Sequence, residues 1–279
     1  MRNTLIGLAV VGLIGCGGSD GDSGLTAPND FDTFSRGAGV FAGTIGSDDA
    51  SGALYAGITM VSPEGEVVSF AVDENNDSNL HLNHHRGSGE NGRFAADGHL
   101  WQCNTSGACE WHESALEGTL DQTRMTATER WASTRSVPVR MTKDMAVTGL
   151  SYPLASIANE YTDGYTTLLL DSNGSLSGWD LDGCNLSGSL APYDGINLFA
   201  LSVSVSGCSS ESTFSGLAFV LGDEQDGHLL WGMTSTGEVF FPMVLLSATA
   251  ASSAADQPLT LTPPALKLKT LSTEGRRIQ

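Results

Sequence analysis

Cationic side chains are scarce in this sequence. Its 279 residues include 13 Lys and Arg against 32 Asp and Glu, which gives a formal net charge of -19 at pH 7. A body with that charge is repelled by phosphate backbones and by anionic lipid surfaces. The composition therefore excludes nucleic acid as an expected partner. It suits a soluble body and would attract cations or a basic partner.

Long apolar runs are also rare. After the run 5–14, no stretch is apolar over the roughly 20 residues that a membrane-spanning helix requires. The 34 glycines, the abundant Ser and Thr, and the short alternating apolar segments favour strands over helices. The length allows one large β domain or two of ordinary size.

The N-terminal segment carries the most specific motif in the chain. Arg2 precedes the apolar run 5–14, which has the length of a signal-peptide core. Leu13-Ile14-Gly15-Cys16 resembles a bacterial lipobox, which implies cleavage before Cys16 and a diacylglycerol plus an N-acyl chain on that residue. Gly17 follows, where an inner-membrane lipoprotein often has Asp, so the resemblance implies an outer-membrane lipid anchor. Three acyl chains would make the attachment effectively permanent.

The rest of the chain divides by composition. The predicted boundaries are a signal peptide over 1–15, a lipidated flexible tether over 16–35, β lobes over 36–146 and 147–247, and a low-complexity, disordered tail over 248–279. The predicted fold is all-β, with two tandem antiparallel lobes that are either barrels or sandwiches.

Two hairpins define the lobes. In the first, segments 54–61 and 67–72 flank a turn that ends at Gly65, and in the second, segments 165–171 and 176–181 flank a turn that ends at Gly174. The two glycines occupy matching places in their lobes. This correspondence indicates an internal duplication.

Five cysteines become four once Cys16 is lipidated, an even number that suits an oxidising compartment. Of the three possible pairings, the sequence-local one is favoured, Cys103–Cys109 and Cys184–Cys208. The first pair closes a short loop, and the second joins the far ends of two neighbouring strands.

The segment around Cys103 and Cys109 is nearly a mirror image of itself. If these cysteines face each other across an antiparallel ladder, Trp101 lies opposite Trp111 on the same face. Two interpretations remain open for the tryptophans: they cap the core of the lobe, or they form an exposed platform that binds a ligand.

Five of the six histidines fall within 81–112, namely His81, His84, His85, His99 and His112. On a strand, His81 and His85 share a face and His84 points the other way. A metal site built on this segment is one hypothesis, and scattered surface imidazoles are the other. The sequence shows no complete metal-binding spacing, so no metal ligand and no cofactor is assigned.

Catalytic motifs are incomplete. Residues 174–178 resemble a nucleophile elbow but have Leu176 at the nucleophile's position. The sequence therefore predicts a non-enzymatic, lipid-anchored envelope protein that binds an unknown small molecule or envelope protein, or has a structural role. An extracytoplasmic hydrolase is the alternative, and its candidate carboxylates are Glu160, Asp163, Asp171, Asp180 and Asp182.

Two resemblances accompany this hypothesis. The spacing of Gly178, Asp180, Cys184, Cys208 and Gly216 is similar to that in uncharacterised two-lobe β-rich proteobacterial lipoproteins. Two antiparallel lobes on a lipid tether also resemble paired-barrel surface lipoproteins such as the transferrin-binding protein B family. No ligand-binding motif of that family can be located in this chain, so its ligand is not carried over.

Overall fold

The structure, a computed structural model, describes residues 33–46, 54–73, 76–103, 109–132, 134–208, 211–223, 227–236 and 240–247. These residues form two closed antiparallel barrels of eight strands each. In each barrel every strand pairs with the next along the chain, and the last closes onto the first. The predicted fold class is confirmed, and of its two alternatives the barrel is correct.

Barrel 1 follows a short helix, α1 (Thr33–Gly37). Its strands are β1 (Gly39–Gly46), β2 (Leu54–Val61), β3 (Glu66–Asp73), β4 (Asn76–Glu90), β5 (Arg93–Cys103), β6 (Cys109–Leu120), β7 (Arg124–Trp131) and β8 (Arg135–Lys143).

Barrel 2 follows two short helices, α2 (Met145–Thr148) and α3 (Leu154–Ile157). Its strands are β9 (Asn159–Thr162), β10 (Thr166–Leu170), β11 (Ser175–Asp180), β12 (Asn185–Pro192), β13 (Phe199–Ser206), β14 (Ser212–Asp223), β15 (Gly227–Ser235) and β16 (Phe240–Ser247). The four-residue strand β9 pairs with both β10 and β16 and so closes the barrel.

The turn between β2 and β3 of barrel 1 has the same construction as the turn between β10 and β11 of barrel 2. Gly65 and Gly174 both have φ of +86°, a conformation that favours glycine. The carbonyl of Gly65 accepts a hydrogen bond from the amide of Gly87 at 3.0 Å, and that of Gly174 accepts one from Leu190 at 2.7 Å. A Cβ added at Gly65 would collide with the carbonyl oxygen of Gly87, and one added at Gly174 would collide with that of Leu190.

The interiors of the barrels are filled by side chains that alternate along the strands. Barrel 2 has an apolar interior that includes Tyr161, Phe199, Leu201 and Leu245. Barrel 1 has an apolar cluster at one level, with Phe34 of α1 and Phe41 among its members. The predicted tether extends to residue 35, whereas α1 begins at Thr33 and buries Phe34.

A third apolar cluster joins the outer faces of the two barrels. We call it the seam. Phe70 of β3 packs edge-on against Trp231 of β15, with ring centroids 5.7 Å apart. Because β15 faces its own barrel on one side and barrel 1 on the other, every residue of β15 is buried. The main seam residues are Val40, Ile58, Met60, Val68, Phe70, Leu82, Trp101, Leu198, Leu217, Phe219, Trp231 and Met233.

The cysteine predictions have separate outcomes. Cys184 and Cys208 form the predicted disulfide, with Cα atoms 5.0 Å apart. Cys103 and Cys109 are direct partners in the β5–β6 register, as expected, but their side chains lie outside what the structure describes, so that bond stays a prediction. Cys16 and the rest of the lipobox also lie outside the described residues. Within the described ranges, no helix is both long and apolar enough to cross a membrane.

Candidate functional site: a polar barrel interior beneath an aromatic cleft

Strand β4 divides its histidines between two environments. His81 and His85 are buried inside barrel 1, at 0% and 1% exposure. His84 points the other way. Its Nε2 lies 2.7 Å from Oε1 of Glu66 in the neighbouring strand β3, and its Nδ1 lies 2.7 Å from Oγ of Ser235 in barrel 2. The alternation predicted from the sequence is therefore confirmed. The hypothesis of scattered surface imidazoles is wrong for these residues.

A buried carboxylate lies between the two inward histidines. Glu129 Oε2 is 2.6 Å from His81 Nε2 and 3.2 Å from Asn83 Nδ2. Glu129 Oε1 is 3.5 Å from His85 Nε2, and Ser114 Oγ is 2.8 Å from the same nitrogen. We call these five residues, His81, Asn83, His85, Ser114 and Glu129, the buried polar cluster.

The electrostatics of the cluster favour an ionised Glu129. Burial raises the pKa of this carboxyl, but the charge of His81 and the hydrogen bonds from His81 and Asn83 outweigh burial, and the pKa lies below its ordinary value. Burial also lowers the pKa of His85 to about 4, against the attraction of Glu129. His85 is therefore neutral at pH 7.

The combination of Ser114, His85 and Glu129 does not have the geometry of a hydrolytic triad. In such a triad the serine and the carboxylate contact opposite nitrogens of the imidazole ring. Here both approach His85 Nε2, and Nδ1 has no hydrogen-bond partner within the described chain. This arrangement holds the ring in place but cannot orient it as a relay between a carboxylate and a nucleophile.

A cleft of about 1160 Å³ opens beside the cluster. The pairing of β6 with β7 begins at Ser114 and Trp131, whereas β6 itself extends back to Cys109. The residues that line the cleft are Asp97, Gly98, His99, Trp111, His112, Glu113, Ser114, Ala115, Arg130, Trp131, Ala132, Thr134, Arg135 and Ser136. Ser114 and Trp131 belong to both the lining and the barrel interior, so the cleft reaches the buried polar cluster.

The two predicted platform tryptophans separate. Trp101 and Trp111 are direct partners in the β5–β6 register, as expected. Trp101 is 3% exposed and packs in the seam, whereas Trp111 is 37% exposed and lines the cleft. The ring of Trp111 stacks on that of His99 with centroids 5.0 Å apart and planes 21° apart. The structure thus places one of the two candidate ligand-binding residues in the cleft.

Three ring nitrogens of the cleft lining are buried without a hydrogen-bond partner among the described residues: Trp131 Nε1, His99 Nδ1 and His112 Nε2. His112 Nε2 has only an ionic contact, with Glu110 Oε2 at 3.5 Å. Leaving a buried polar atom unsatisfied costs about 1–3 kcal/mol. Polar atoms left in this way at a cleft are what a polar ligand would satisfy.

The rim of the cleft contains charges of both signs and a strained residue. Asp97 and Glu113 are acidic, and Arg130 and Arg135 are basic. Ala132, which follows Trp131, has φ of +49°, a conformation that costs a non-glycine residue about 1–3 kcal/mol. Such strain is concentrated at binding and catalytic sites in proteins.

The metal site considered from the sequence is not assembled in the described residues. No group of three or more His, Cys, Asp and Glu side chains there is arranged to hold a metal ion. Three of the candidate hydrolase carboxylates accept backbone N–H groups of their own turns: Asp163 from Tyr165 and Thr166, Asp171 from Asn173 and Ser175, and Asp180 from Cys184.

Sequence reasoning missed Glu129 and Ser114. Glu129 of β7 is fully buried, at 0% exposure. The signal was present, because Glu129 shares the period-two phase of Met125, Ala127 and Trp131, which all face inward.

The chain matches no family model, no curated protein and no solved structure.

Proposed function

We propose that this protein is a lipid-anchored component of the cell envelope that binds a ligand, without catalysis, in the cleft of barrel 1. The anchor rests on Leu13-Ile14-Gly15-Cys16 and on the apolar run before it. The ligand site rests on the cleft, whose lining includes the exposed indole of Trp111 and three ring nitrogens without a hydrogen-bond partner among the described residues.

One observation carries the binding proposal. Trp131 is 5% exposed, its Nε1 has no hydrogen-bond partner among the described residues, and it forms part of the cleft. A buried indole N–H usually finds a partner; Trp231 Nε1 in the seam also has none among the described residues, but only Trp131 of these two lines the cleft. In this cleft the available partner is a ligand.

The binding proposal is tested by native mass spectrometry of the full chain, extracted in mild detergent from its own membrane. The wild type is expected to retain a species that Trp111→Ala loses. Trp179→Ala is the matched control, because Trp179 is an exposed tryptophan of barrel 2, at 48% exposure. Retention of nothing by the wild type, or equal retention by all three proteins, would contradict the binding proposal.

The same spectra test the anchor, because the mass reports acylation at Cys16. In parallel, Cys16→Ala should move the protein from the membrane fraction to the soluble fraction of the envelope. A Cys16→Ala protein that remains in the membrane fraction would show that the lipid anchor is wrong and would leave the cleft untouched.

A further inference from the structure

We propose that the cleft of barrel 1 binds a neutral saccharide chain, with Trp111 as the surface on which a sugar ring stacks. This inference rests on the proposed function, because it names the ligand of the same site. It is argued from four properties of the lining: its lack of large aliphatic side chains, its charge balance, its mixture of donors and acceptors, and its size.

The lining does not suit a lipid or another apolar ligand. Among the lining residues that the structure describes, Ala115 and Ala132 are the only aliphatic ones, and both are small. The larger surfaces are aromatic and carry polar atoms. Apolar ligands bind where hydrophobic side chains enclose them, whereas this cleft offers indole and imidazole rings edged by charged and hydroxyl groups.

The charge balance does not suit a polyanion, and the basic pair in the lining leaves a polycation without a uniformly acidic surface. The acidic pair Asp97 and Glu113 offsets the basic pair Arg130 and Arg135. Arg130 is further neutralised by Glu117, whose Oε2 lies 2.6 Å from Arg130 Nη1. The net charge of -19 adds a long-range repulsion for any anionic polymer. A ligand without net charge avoids this repulsion.

The donors and acceptors suit hydroxyl groups. A hydroxyl both donates and accepts, so a ligand rich in hydroxyls is best matched by a site that offers both. Carboxylates at Asp97 and Glu113 accept and guanidinium groups at Arg130 and Arg135 donate. The buried indole N–H of Trp131, which has no partner among the described residues, is a further donor. Each unpartnered ring nitrogen gains a hydrogen bond in such a complex.

Trp111 gives the site its apolar surface. His99 stacks against it and fixes the orientation of its ring, with a centroid distance of 5.0 Å. The C–H face of a sugar ring is flat and weakly apolar, and packs against an aromatic face while its hydroxyls point to the sides.

The size of the cleft suits a ligand of more than one ring. Its volume of about 1160 Å³ exceeds the roughly 300–1,000 Å³ of ordinary small-molecule sites. Several linked rings therefore fit better than one.

The test is isothermal titration calorimetry of the full-length acylated protein in detergent. The probes are neutral hexasaccharides of glucose (α-1,4-linked and β-1,4-linked) and of N-acetylglucosamine, with a galacturonic acid hexasaccharide and a free fatty acid as the contrasting ligands. At least one neutral hexasaccharide should bind more tightly than its own disaccharide and more tightly than either contrasting ligand. A panel in which no neutral saccharide binds overturns the proposal.

Variants tie the binding to the cleft. Trp111→Ala should lower the affinity for the hexasaccharide that binds the wild type at least tenfold. Trp111→Phe, which keeps an aromatic face, should retain most of the wild-type affinity. Trp131→Phe removes one donor and keeps a ring, and should weaken binding several-fold. Trp179→Ala should change the affinity less than twofold. Binding that none of the cleft variants alters would overturn the assignment to this site.

The two proposals fail in distinguishable ways. If native mass spectrometry shows a peptide, a lipid or an acidic glycan that Trp111→Ala releases, the cleft is a binding site and the neutral saccharide is wrong. If the wild type retains nothing from its membrane and binds no probe, both proposals are wrong. Release of reducing sugar from a bound hexasaccharide would contradict the non-catalytic part of the proposed function.

Discussion

The two barrels solve the same folding problem with different interiors. Each follows a short helix, and a helix residue, Phe34 or Leu154, lies beside the glycine of the second hairpin turn. Barrel 2 fills its interior with apolar side chains. Barrel 1 places His81, His85 and Glu129 at the same kind of inward position. Barrel 2 also buries Asp180, but that carboxylate accepts the backbone N–H of Cys184 at the end of β11, so the eight-stranded architecture does not require a buried histidine–carboxylate cluster.

That difference separates what the fold requires from what the site requires. Removing ionisable groups from water costs several kcal/mol each, and a buried ion pair often contributes no more stability than an apolar replacement would. The buried polar cluster lies in the barrel that has the cleft, and it shares Ser114 with the lining. We therefore attribute the cluster to the proposed binding site and the apolar residues to the fold.

The largest effect is expected from breaking the cluster at its centre. Glu129→Leu leaves His81 and His85 buried without their carboxylate, and should lower the free energy of unfolding by about 3–5 kcal/mol. Urea unfolding at pH 7 measures the change. The control is Glu117→Leu on the outer surface of barrel 1, where an exposed ion pair contributes at most about 1 kcal/mol. Equal effects of the two variants would remove the contrast between interior and surface.

The next effect on stability concerns the disulfide of barrel 2, Cys184–Cys208. Cys184→Ala with Cys208→Ala should lower stability by about 3–4 kcal/mol, because the disulfide closes a loop with a sequence separation of 24. Cys103→Ala with Cys109→Ala should cost less, about 2 kcal/mol, because that loop is shorter. Peptide mapping of unreduced protein checks the second bond, and a link from Cys103 to Cys184 would contradict it.

Lowering the pH is expected to reduce the free energy of unfolding by a smaller amount, and this effect should originate in barrel 1. The pKa of His85 is lowered from its ordinary value of 6.5 to about 4, so the unfolded chain binds more protons between these values. The stabilisation is fully present above pH 6.5 and is lost as the pH falls to about 4, by about 3 kcal/mol. The lowered pKa of Glu129 extends the loss of stability below the ordinary value of that carboxyl.

His85→Gln checks the origin of this pH dependence. It removes the titrating ring and keeps polar atoms near Ser114, so stability between pH 6.5 and 4 should vary less than in the wild type. Unfolding curves at several pH values measure the difference. A variant with the slope of the wild type would assign the acid sensitivity to other groups.

Local patterns made much of the fold predictable. The turn at Gly65 requires a left-handed glycine, and β2 has the predicted bounds, Leu54–Val61. The near-palindrome around Cys103 and Cys109 predicted the register of β5 with β6. The strand β9 was missed, because a four-residue strand closes its barrel by pairing on two sides rather than by its own pattern.

The site was less predictable, because its contacts join distant parts of the chain. His81 and Glu129 are separated by 48 residues, and only barrel closure brings them to 2.6 Å. The sequence treated Trp101 and Trp111 alike, but barrel 2 covers one of them and leaves the other in the cleft. Local alternation gives the face of a residue and does not reveal what lies against that face.

The most direct test replaces the whole buried polar cluster with apolar residues, like those that form the core cluster of barrel 2. The variant combines His81→Leu, Asn83→Leu, His85→Leu, Ser114→Ala and Glu129→Leu, and its melting temperature is measured at pH 7 by calorimetry. We expect a melting temperature close to or above that of the wild type, because no polar partner is left unpaired. A protein that unfolds at least as readily as Glu129→Leu would show that barrel 1 needs the cluster to fold, and would contradict its assignment to the binding site.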